Sequence, residues 1–322
     1  MSKIELFEQI KETSKMLPSL STETKNQALQ AIIDALNGRA EEIFEANNED
    51  LRIAVESNIA APILARLKFD SKKLNEVIKG LKDLIQLEDP IGQELMVTEL
   101  DDDLLLKKIV TPIGVIGVIF ESRPDALVQI STLCLKSSNA VLLKGGSEAF
   151  HTNAKLFDII YTASIAAGIP EHWAGLLTTR QDVSAMLKLD AYIDLIIPRG
   201  SNEFVRYIME NSLIPVLGHA DGICHMYIDA SADVEMAVAL TVDSKTQYVS
   251  VCNALETLLV HESIKDVFLP KVYEALILKG VKVLGCAKTR ESINVEAATE
   301  VDWRTEYLDL ILSIKVVSSM QE

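Results

Sequence analysis

The sequence predicts an α/β fold with two domains, each organised on a parallel-type sheet. The chain has 322 residues, enough for about two domains of roughly 100–200 residues each. Continuous apolar runs alternate with helical stretches between about residues 113 and 197, and again after residue 221. This alternation is typical of parallel strands covered by helices on both faces. We expect one domain over residues 1–220 and a second over 221–322.

The composition restricts the possible partners and the compartment. A formal net charge of −16 and an aromatic content of 5% argue against a nucleic-acid partner. The N-terminus has no signal-peptide core, and no run reaches the roughly 18 apolar residues of a membrane span. The four cysteines show neither C-x-x-C spacing nor histidines at metal-ligand intervals. We expect a cytoplasmic protein with reduced thiols, without a metal site and without a membrane segment.

The elements are expected in the following order. The first 86 residues should form helices, because apolar side chains recur at spacings of three and four, and Ser21 and Asp70 stand where helix caps are expected. From about residue 94 to 110 the pattern predicts a β-hairpin, which is either a subunit contact or a local sheet edge. Strands are then expected at 113–120, 140–144, 174–178 and 192–197, and in the second domain at 223–228, after Cys252, at 281–285 and at 308–317.

Two turns stand where parallel strands are expected to end. They are formed by Lys144, Gly145, Gly146 and Ser147, and by Pro198, Arg199, Gly200 and Ser201. Glycine lets a ligand approach the backbone closely, and a helix N-terminus offers N–H groups to an anion. Ligands bind beyond the carboxyl ends of parallel strands, so the turns favour a nucleotide-binding domain. Each turn alone is equally explained as a structural tight turn.

Cys252 and Arg123 are the candidate reactive and substrate-binding residues. Cys252 leads from a polar segment into an apolar run, so we expect it on a loop at the start of a buried strand. A rigid scaffold presents a nucleophile at such a place, although free cysteine is also common as inert core filler. Arg123 interrupts an apolar run and suits a carboxylate or phosphate. An ion pair that only fixes the turn explains Arg123 equally well.

Five segments together resemble the gamma-glutamyl phosphate reductase family. They are I-G-V-I-F-E-S-R-P-D at 116–125, L-K-G-G-S-E at 143–148, I-P-R-G at 197–200, V-C-N-A-L-E-T at 251–257 and D-W-R-T-E-Y-L at 302–308. This family belongs to the aldehyde dehydrogenase superfamily. The resemblance therefore implies an aldehyde-dehydrogenase-like fold with an NADP-binding domain, a catalytic domain and the hairpin as an oligomerisation arm. It also implies NADPH-dependent reduction of gamma-glutamyl phosphate to glutamate-5-semialdehyde, with release of phosphate, in proline biosynthesis.

The resemblance also implies roles for particular residues. Cys252, as a thiolate, would attack the acyl phosphate carbon and form a thioacyl enzyme, while its own N–H or the Ser122 region holds the oxyanion. Lys144 would contact the adenosine ribose, with a charge compatible with a 2′-phosphate. Glu306 would hold the nicotinamide ribose. The other residues of the two turns would line the cofactor site, which makes NADP the expected cofactor, and Arg123 would face the substrate.

Two further comparisons with the family bear on function. Hydrolytic aldehyde dehydrogenases carry a glutamate in an E-L-G-G motif that activates water, whereas the matching stretch here is Val216-Leu217-Gly218-His219. A hydrolytic activity is therefore disfavoured. Family members also continue beyond Glu322, which implies an incomplete catalytic domain. Two hypotheses follow: a reductase that is a homo-oligomer when complete, or a truncated non-catalytic fragment that binds nucleotide or partner subunits. An exposed apolar edge beside residues 308–317 would predict aggregation or a partner.

Overall fold

The chain begins with helices, as the spacing of its apolar residues predicts. The computed structural model describes residues 3–59, 61–121, 123–200, 202–218, 221–249 and 251–322. Ser21 and Asp70 cap their helices as predicted, since their side chains accept the N–H groups of Thr24 at 3.1 Å and Lys73 at 3.0 Å. The first helices are α1 (Lys3–Ser14), α2 (Thr22–Gly38), α3 (Ala40–Glu56), α4 (Ala61–Leu67) and α5 (Ser71–Gln86).

The predicted hairpin is present and is fully exposed. Its strands are β1 (Glu94–Asp101) and β2 (Leu104–Ile109), which pair antiparallel with Thr98 opposite Leu106. Asp103, in the turn, has a φ of +61°, a conformation that aspartate tolerates better than most residues. Every residue of both strands is exposed, including many leucines. An apolar ribbon of this kind is typical of a contact surface.

A parallel sheet organises the first part of the chain after the hairpin. Its strands are β3 (Val115–Phe120), β4 (Ala140–Lys144), β5 (Ala174–Leu177) and β6 (Leu195–Arg199), in the order β5-β4-β3-β6. The helices that follow them are α6 (Pro124–Lys136), α7 (Phe150–Ala166), α8 (Arg180–Met186) and α9 (Asn202–Asn211). β3 and β4 are buried along their whole length, so polar groups that bind a ligand must stand at the ends of these strands.

A second parallel sheet organises the rest of the chain. Its elements are β7 (Cys224–Ile228), α10 (Val234–Thr246), β8 (Leu255–His261), α11 (Lys265–Leu278), β9 (Lys282–Gly285), α12 (Ala287–Ser292), β10 (Glu296–Ala297) and β11 (Ile311–Val317), with the strand order β10-β9-β11-β8-β7. β11, which corresponds to the strand predicted at 308–317, pairs with both β8 and β9 and so leaves no open edge of its own. The most apolar strand lies inside the sheet, where both of its faces are covered.

The chain divides into two compact units, residues 1–219 and 220–322. Each unit encloses a hydrophobic core of its own, and each combines helices with a parallel sheet. The predicted α/β class is therefore confirmed. In the ranges that the structure describes, we find no helix with the length and apolar character needed to cross a membrane.

Asp89 anchors the segment that leads into the hairpin. Its carboxylate pairs with Lys25 of α2, whose side chain is 1% exposed, and accepts the N–H of Ile91 at 3.1 Å and the hydroxyl of Thr22 at 3.0 Å. Burial raises the pKa of the Asp89 carboxyl, but these donors outweigh burial and bring it below its ordinary value. A lowered pKa in the folded state stabilises the fold above the unfolded pKa, and this stabilisation disappears as the pH falls through the folded pKa.

We expect Asp89→Ala to lower the free energy of unfolding of the first unit by about 3–5 kcal/mol, because it leaves Lys25 as an unpaired buried charge. Urea denaturation at pH 7 measures this loss. Glu12→Ala is the control: it removes the exposed partner of Lys15 and should cost less than about 1 kcal/mol. Equal losses in the two variants would contradict the anchoring role of Asp89.

Candidate functional site

Cys252 lies on the loop between α10 and β8, as the sequence predicts. The loop turns where the N–H of Ala254 donates to the carbonyl of Val251 at 3.1 Å, and β8 then enters the core. Cys252 is exposed, whereas Cys134 is buried, and burial raises the pKa of the Cys134 thiol to about 12. Cys252 is therefore accessible to a substrate, and Cys134 is the inert core cysteine.

Two neighbours at the start of β7 fix the backbone of Cys252. The thiol of Cys224 donates to the Cys252 carbonyl oxygen at 3.3 Å. Gly222 approaches the same residue so closely that a Cβ at position 222 would lie 2.7 Å from the Cys252 Cα and 2.8 Å from its Cβ. Side-chain carbons essentially never approach other atoms closer than 3.0 Å. Only glycine fits at position 222 without displacing the cysteine loop.

A buried ion pair joins the two ends of this loop. Lys245 is the penultimate residue of α10, and Glu256 is the second residue of β8. Their side chains are both 0% exposed, and Lys245 Nζ lies 2.6 Å from Glu256 Oε2. The other carboxylate oxygen of Glu256, Oε1, accepts the N–H of Leu308 at 3.2 Å. One carboxylate thus contacts both the helix that precedes Cys252 and a segment more than fifty residues later.

Glu306 belongs to that later segment, immediately before β11. The hydroxyl of Tyr307 donates to Asp302 at 2.8 Å, and Asp302 also accepts the hydroxyl and the N–H of Thr299 at 2.7 and 2.6 Å. These donors lower the pKa of the Asp302 carboxyl. Burial, followed by the hydrogen bond to Asp302, raises the pKa of Tyr307, so the phenol stays protonated and continues to donate.

The sheet places Cys252 and Glu306 at the same edge. β8 and β11 are adjacent parallel strands, with Thr257 opposite Ser313. Cys252 precedes the first of these strands and Glu306 precedes the second. Segments that enter adjacent parallel strands start from the same sheet edge, so the predicted nucleophile and the predicted ribose-binding carboxylate share the amino edge of the second sheet.

The two predicted turns of the first unit lie at the carboxyl edge of the first sheet. β3 pairs in parallel with β4 and with β6, so the segments that follow these strands are neighbours. Gly145 and Gly146 follow β4 directly, the exposed Arg123 stands immediately before α6, and Gly200 follows β6. This edge therefore combines a glycine turn with a guanidinium group.

The individual side chains of these turns differ in exposure. Ser147 and Arg199 are exposed, whereas Lys144 is buried and donates to the carbonyl of Gly145. Pro198 is buried inside β6 opposite Ile119, so it is part of the strand and not of the turn. The predicted site residues Ser122 and Ser201, and His219 of the E-L-G-G-like stretch, lie outside the described residues.

A shallow cavity opens beside Gly145 and Gly146. It is also lined by Phe150, Asn153 and Leu177. The side chain of Asn153 is 3% exposed, and among the described residues its Oδ1 has no hydrogen-bond partner. A buried acceptor without a donor costs free energy. The cavity therefore fits a ligand that brings an N–H or O–H group to this point.

Glu121, just beyond β3, adds negative charge to this edge of the sheet. Partial burial and the nearby Glu148 carboxylate raise the pKa of Glu121, and Arg66 lowers it by less. A Cβ at Gly200 would lie 3.1 Å from Glu121 Oε2, so the carboxylate stands directly beside the second turn. An anionic ligand here must be held by local N–H donors and by cations, because the surrounding carboxylates oppose it.

Two observations bear on metal chemistry and on water activation in the part of the chain that the structure describes. No cluster of three or more His, Cys, Asp or Glu side chains is placed to hold a metal ion. Val216, at the position of the water-activating glutamate, forms a parallel bridge with Ile196 of β6. Its hydrocarbon side chain cannot take a proton from water.

Sequence reasoning missed the residues that hold the site together. Glu256 carried a signal, because a charge inside the apolar run 254–260 requires a buried partner. Lys245 gave a weaker signal of a buried charge, since it lies next to the end of a helix that is followed by a polar loop. Gly222 and Asn153 carried none, because their importance arises from contacts that exist only in the folded chain.

We expect Gly222→Ala to displace the Cys252 loop, because the new methyl group would overlap the backbone of Cys252. The free energy of unfolding of the second unit should fall by about 1–3 kcal/mol, and the rate of alkylation of Cys252 by iodoacetamide should change. Gly80→Ala is the matched control: no atom lies within 4 Å of a Cβ there, and the substitution should be neutral or slightly stabilising. Wild-type stability and alkylation in Gly222→Ala would contradict the close approach.

Comparison with known proteins places the chain in a family. A model described as the aldehyde dehydrogenase family matches residues 6–284. Gamma-glutamyl phosphate reductase of Pelotomaculum thermopropionicum is 61% identical over 318 residues, covering 99% of this chain and 73% of that protein. The protein of the same name from Acetivibrio thermocellus is 59% identical over 322 residues, covering 100% of this chain and 75% of that protein.

Solved structures agree with these relatives. The crystal structure of gamma-glutamyl phosphate reductase from Thermotoga maritima matches with a TM-score of 0.94 at 40% identity, covering 99% of this chain and 78% of that one. Betaine aldehyde dehydrogenase from Staphylococcus aureus shares the fold, with a TM-score of 0.63 at 16% identity over 98% of this chain and 70% of that one. The predicted aldehyde-dehydrogenase-like fold is thus confirmed, and the chain belongs to the gamma-glutamyl phosphate reductases of the aldehyde dehydrogenase family.

Proposed function

We propose that this chain reduces gamma-glutamyl phosphate to glutamate-5-semialdehyde with NADPH, releasing phosphate, as a step of proline biosynthesis. The observation that carries the proposal is the exposed Cys252, held on a tightly fixed loop before a buried strand. The relatives named gamma-glutamyl phosphate reductase, at 59–61% identity, support the choice of substrate. Assignment of residues 1–220 to cofactor binding and of 221–322 to catalysis is part of this proposal.

Cys252 carries the covalent chemistry in this proposal. Its thiolate attacks the acyl carbon of the acyl phosphate, the carbon–oxygen bond to phosphate breaks, and a thioester forms on Cys252. The Cys252 N–H and the Ser122 region would stabilise the oxyanion of this step, and Arg123 would bind a carboxylate or phosphate of the substrate. When bound, the nicotinamide supplies the hydride that reduces the thioester. The carbon–sulfur bond then breaks, which regenerates the Cys252 thiolate and releases the aldehyde.

The first unit fits a nicotinamide dinucleotide. The glycine turn after β4 allows close approach, and the buried Asn153 Oδ1 offers an acceptor that the described protein groups leave unused. Lys144, Gly145, Gly146 and Ser147 would hold the adenosine end, and Pro198, Arg199, Gly200 and Ser201 are proposed as further cofactor-binding residues. Glu306 would hold the nicotinamide ribose. The positive charge of Lys144 is compatible with the 2′-phosphate of NADP, and the choice of NADP rests on the family resemblance.

In the proposed reaction the acyl group is exchanged with phosphate and not with water. Val216 replaces the glutamate that activates water in hydrolytic relatives, and it contacts β6 as part of the sheet edge. An exposed apolar edge beside residues 308–317 would have favoured the alternative of a non-catalytic binding fragment. The interior position of β11 removes that argument, so the reductase is the function that we propose.

The exposed hairpin provides the contact surface for a homo-oligomer. Leu105 and Leu106 are 53% and 49% exposed and point to opposite faces of the ribbon, because successive side chains of a strand alternate. A second copy of the chain is the partner we propose, since burial of these leucines would stabilise an assembly by about 1.5–3 kcal/mol for each side chain.

The reductase proposal is tested by following NADP reduction with glutamate-5-semialdehyde in the presence of phosphate. We expect Cys252→Ala to lose at least about 10³-fold in kcat/KM, because removal of a nucleophile abolishes the covalent route. Cys286→Ala is the matched control. Burial raises the pKa of the Cys286 thiol, yet the Thr289 hydroxyl and nearby N–H donors bring it below its ordinary value, so this variant tests whether loss of another partly exposed thiol lowers activity. Activity that survives in Cys252→Ala, or that is lost in Cys286→Ala, would contradict the assignment of Cys252 as the nucleophile.

Light scattering of the purified chain tests the oligomer. We expect a mass above the 35.5 kDa of one chain, and a return to that mass in Leu105→Glu or Leu106→Glu, because a charge on the contact face cannot be buried unpaired. The two variants report on opposite faces of the ribbon, so the one that dissociates identifies the face. Lys79→Glu, on the helix before the hairpin, is a charge-reversal control. A monomeric wild-type chain would contradict the oligomer.

A further inference from the structure

We infer that Glu256 is a positioning residue that holds the Cys252 loop and the Glu306 segment in one fixed arrangement. Its carboxylate closes the Cys252 loop through Lys245 and anchors the Glu306 segment through the N–H of Leu308. The inference rests on the proposed roles of Cys252 and Glu306. It adds to them a residue that would touch neither substrate nor cofactor.

The two oxygens of the carboxylate have separate partners. Oε2 lies 2.6 Å from the ammonium of Lys245, and Oε1 accepts the Leu308 N–H at 3.2 Å. The backbone of Glu256 is itself fixed, because its carbonyl accepts the hydroxyl of Ser313 from β11 at 3.1 Å. Glu256 therefore cannot shift toward one partner without leaving the other, and its position is set by the core of the sheet.

Leu308 needs such an anchor. Its φ of +52° lies in the left-handed region, which costs a residue with a side chain roughly 1–2 kcal/mol. Its side chain is 46% exposed, so apolar burial does not explain why this conformation is kept. The hydrogen bond to a buried carboxylate does explain it, because charged acceptors bind N–H groups more strongly than neutral ones.

Stability alone is a poor reason for this arrangement. Replacement of a buried ion pair by apolar residues of similar size is often neutral or stabilising. What an apolar pair cannot do is accept the N–H of Leu308. The conformation of Leu308 sets the direction of the chain at Glu306, two residues earlier, so loss of the acceptor should move Glu306 and leave Cys252 in place.

Two double variants separate the acceptor from the charge. Lys245→Met/Glu256→Gln removes both charges but keeps one side-chain oxygen for Leu308, whereas Lys245→Met/Glu256→Met removes the oxygen as well. We expect hydrogen exchange of residues 302–310 to be at least about 10-fold faster in the second variant, since the anchoring bond is absent. We also expect its kcat to be about 10-fold lower than that of the first, with equal rates of Cys252 alkylation.

Single variants provide a rescue. Glu256→Gln has one oxygen for two donors, so the Lys245 ammonium competes with Leu308 for it. Addition of Lys245→Met frees that oxygen, and kcat should rise relative to Glu256→Gln alone. Glu262→Gln, which loses only an exposed partner of Lys288, controls for a neutralised glutamate and should match the wild type. If Lys245→Met/Glu256→Met does not fold, the expected rise in kcat from Glu256→Gln to Lys245→Met/Glu256→Gln still tests the inference.

The inference is overturned if the two double variants show the same exchange over residues 302–310 and the same kcat, or if Lys245→Met gives no rescue. Its failure is distinguishable from failure of the proposed reaction. A wild-type chain without reductase activity would refute the reaction, while the exchange difference between the double variants would still decide whether Glu256 holds the Leu308 segment.

Discussion

Parallel strand pairing is the constraint on which the rest of the structure depends. Strands that are buried on both faces leave no room for polar chemistry along their length, so the reactive groups must stand where strands begin or end. In the first unit the glycine turns lie at the carboxyl edge of the sheet, the usual place for a ligand. In the second unit Cys252 and Glu306 lie at the amino edge, where β8 and β11 begin.

Lys245 and Glu256 form a fully buried ion pair at this edge of the second sheet. Both side chains are removed completely from solvent, which is costly for two charges even when they contact each other. Such a pair is kept for its geometry, because a carboxylate can bind two donors in fixed directions while a hydrocarbon cannot. Glu256 binds the segment that contains Glu306, the carboxylate proposed to hold the nicotinamide ribose. The free-energy cost of the buried charges is therefore connected with the proposed position of Glu306.

Short sequence patterns predicted the helices and strands well. Contacts between residues that are far apart in the sequence could not be predicted from such patterns. Ser21 and Asp70 act within three residues of their positions, so their caps could be predicted from short patterns. The place of β11 in the middle of its sheet depends on pairing with two other strands, so the sequence predicted the strand but not its neighbours. Gly222 shows the same limit: its partner, Cys252, is thirty residues away, and only the folded loop reveals why a side chain is excluded.

The family resemblance and the geometry of the chain explain different parts of the proposed reaction. The choice of substrate depends on relatives, since no described contact distinguishes one acyl phosphate from another. The fate of the thioester depends on the chain itself. Cys252 is exposed, so burial would not shield the thioester of the proposed reaction from water. Val216, which the family resemblance matches to the water-activating glutamate of hydrolytic relatives, has a hydrocarbon side chain that cannot take a proton from water. In the proposed reaction, reduction of the thioester must be faster than its hydrolysis, which depends on the geometry in which the Cys252 loop and the Glu306 segment are held.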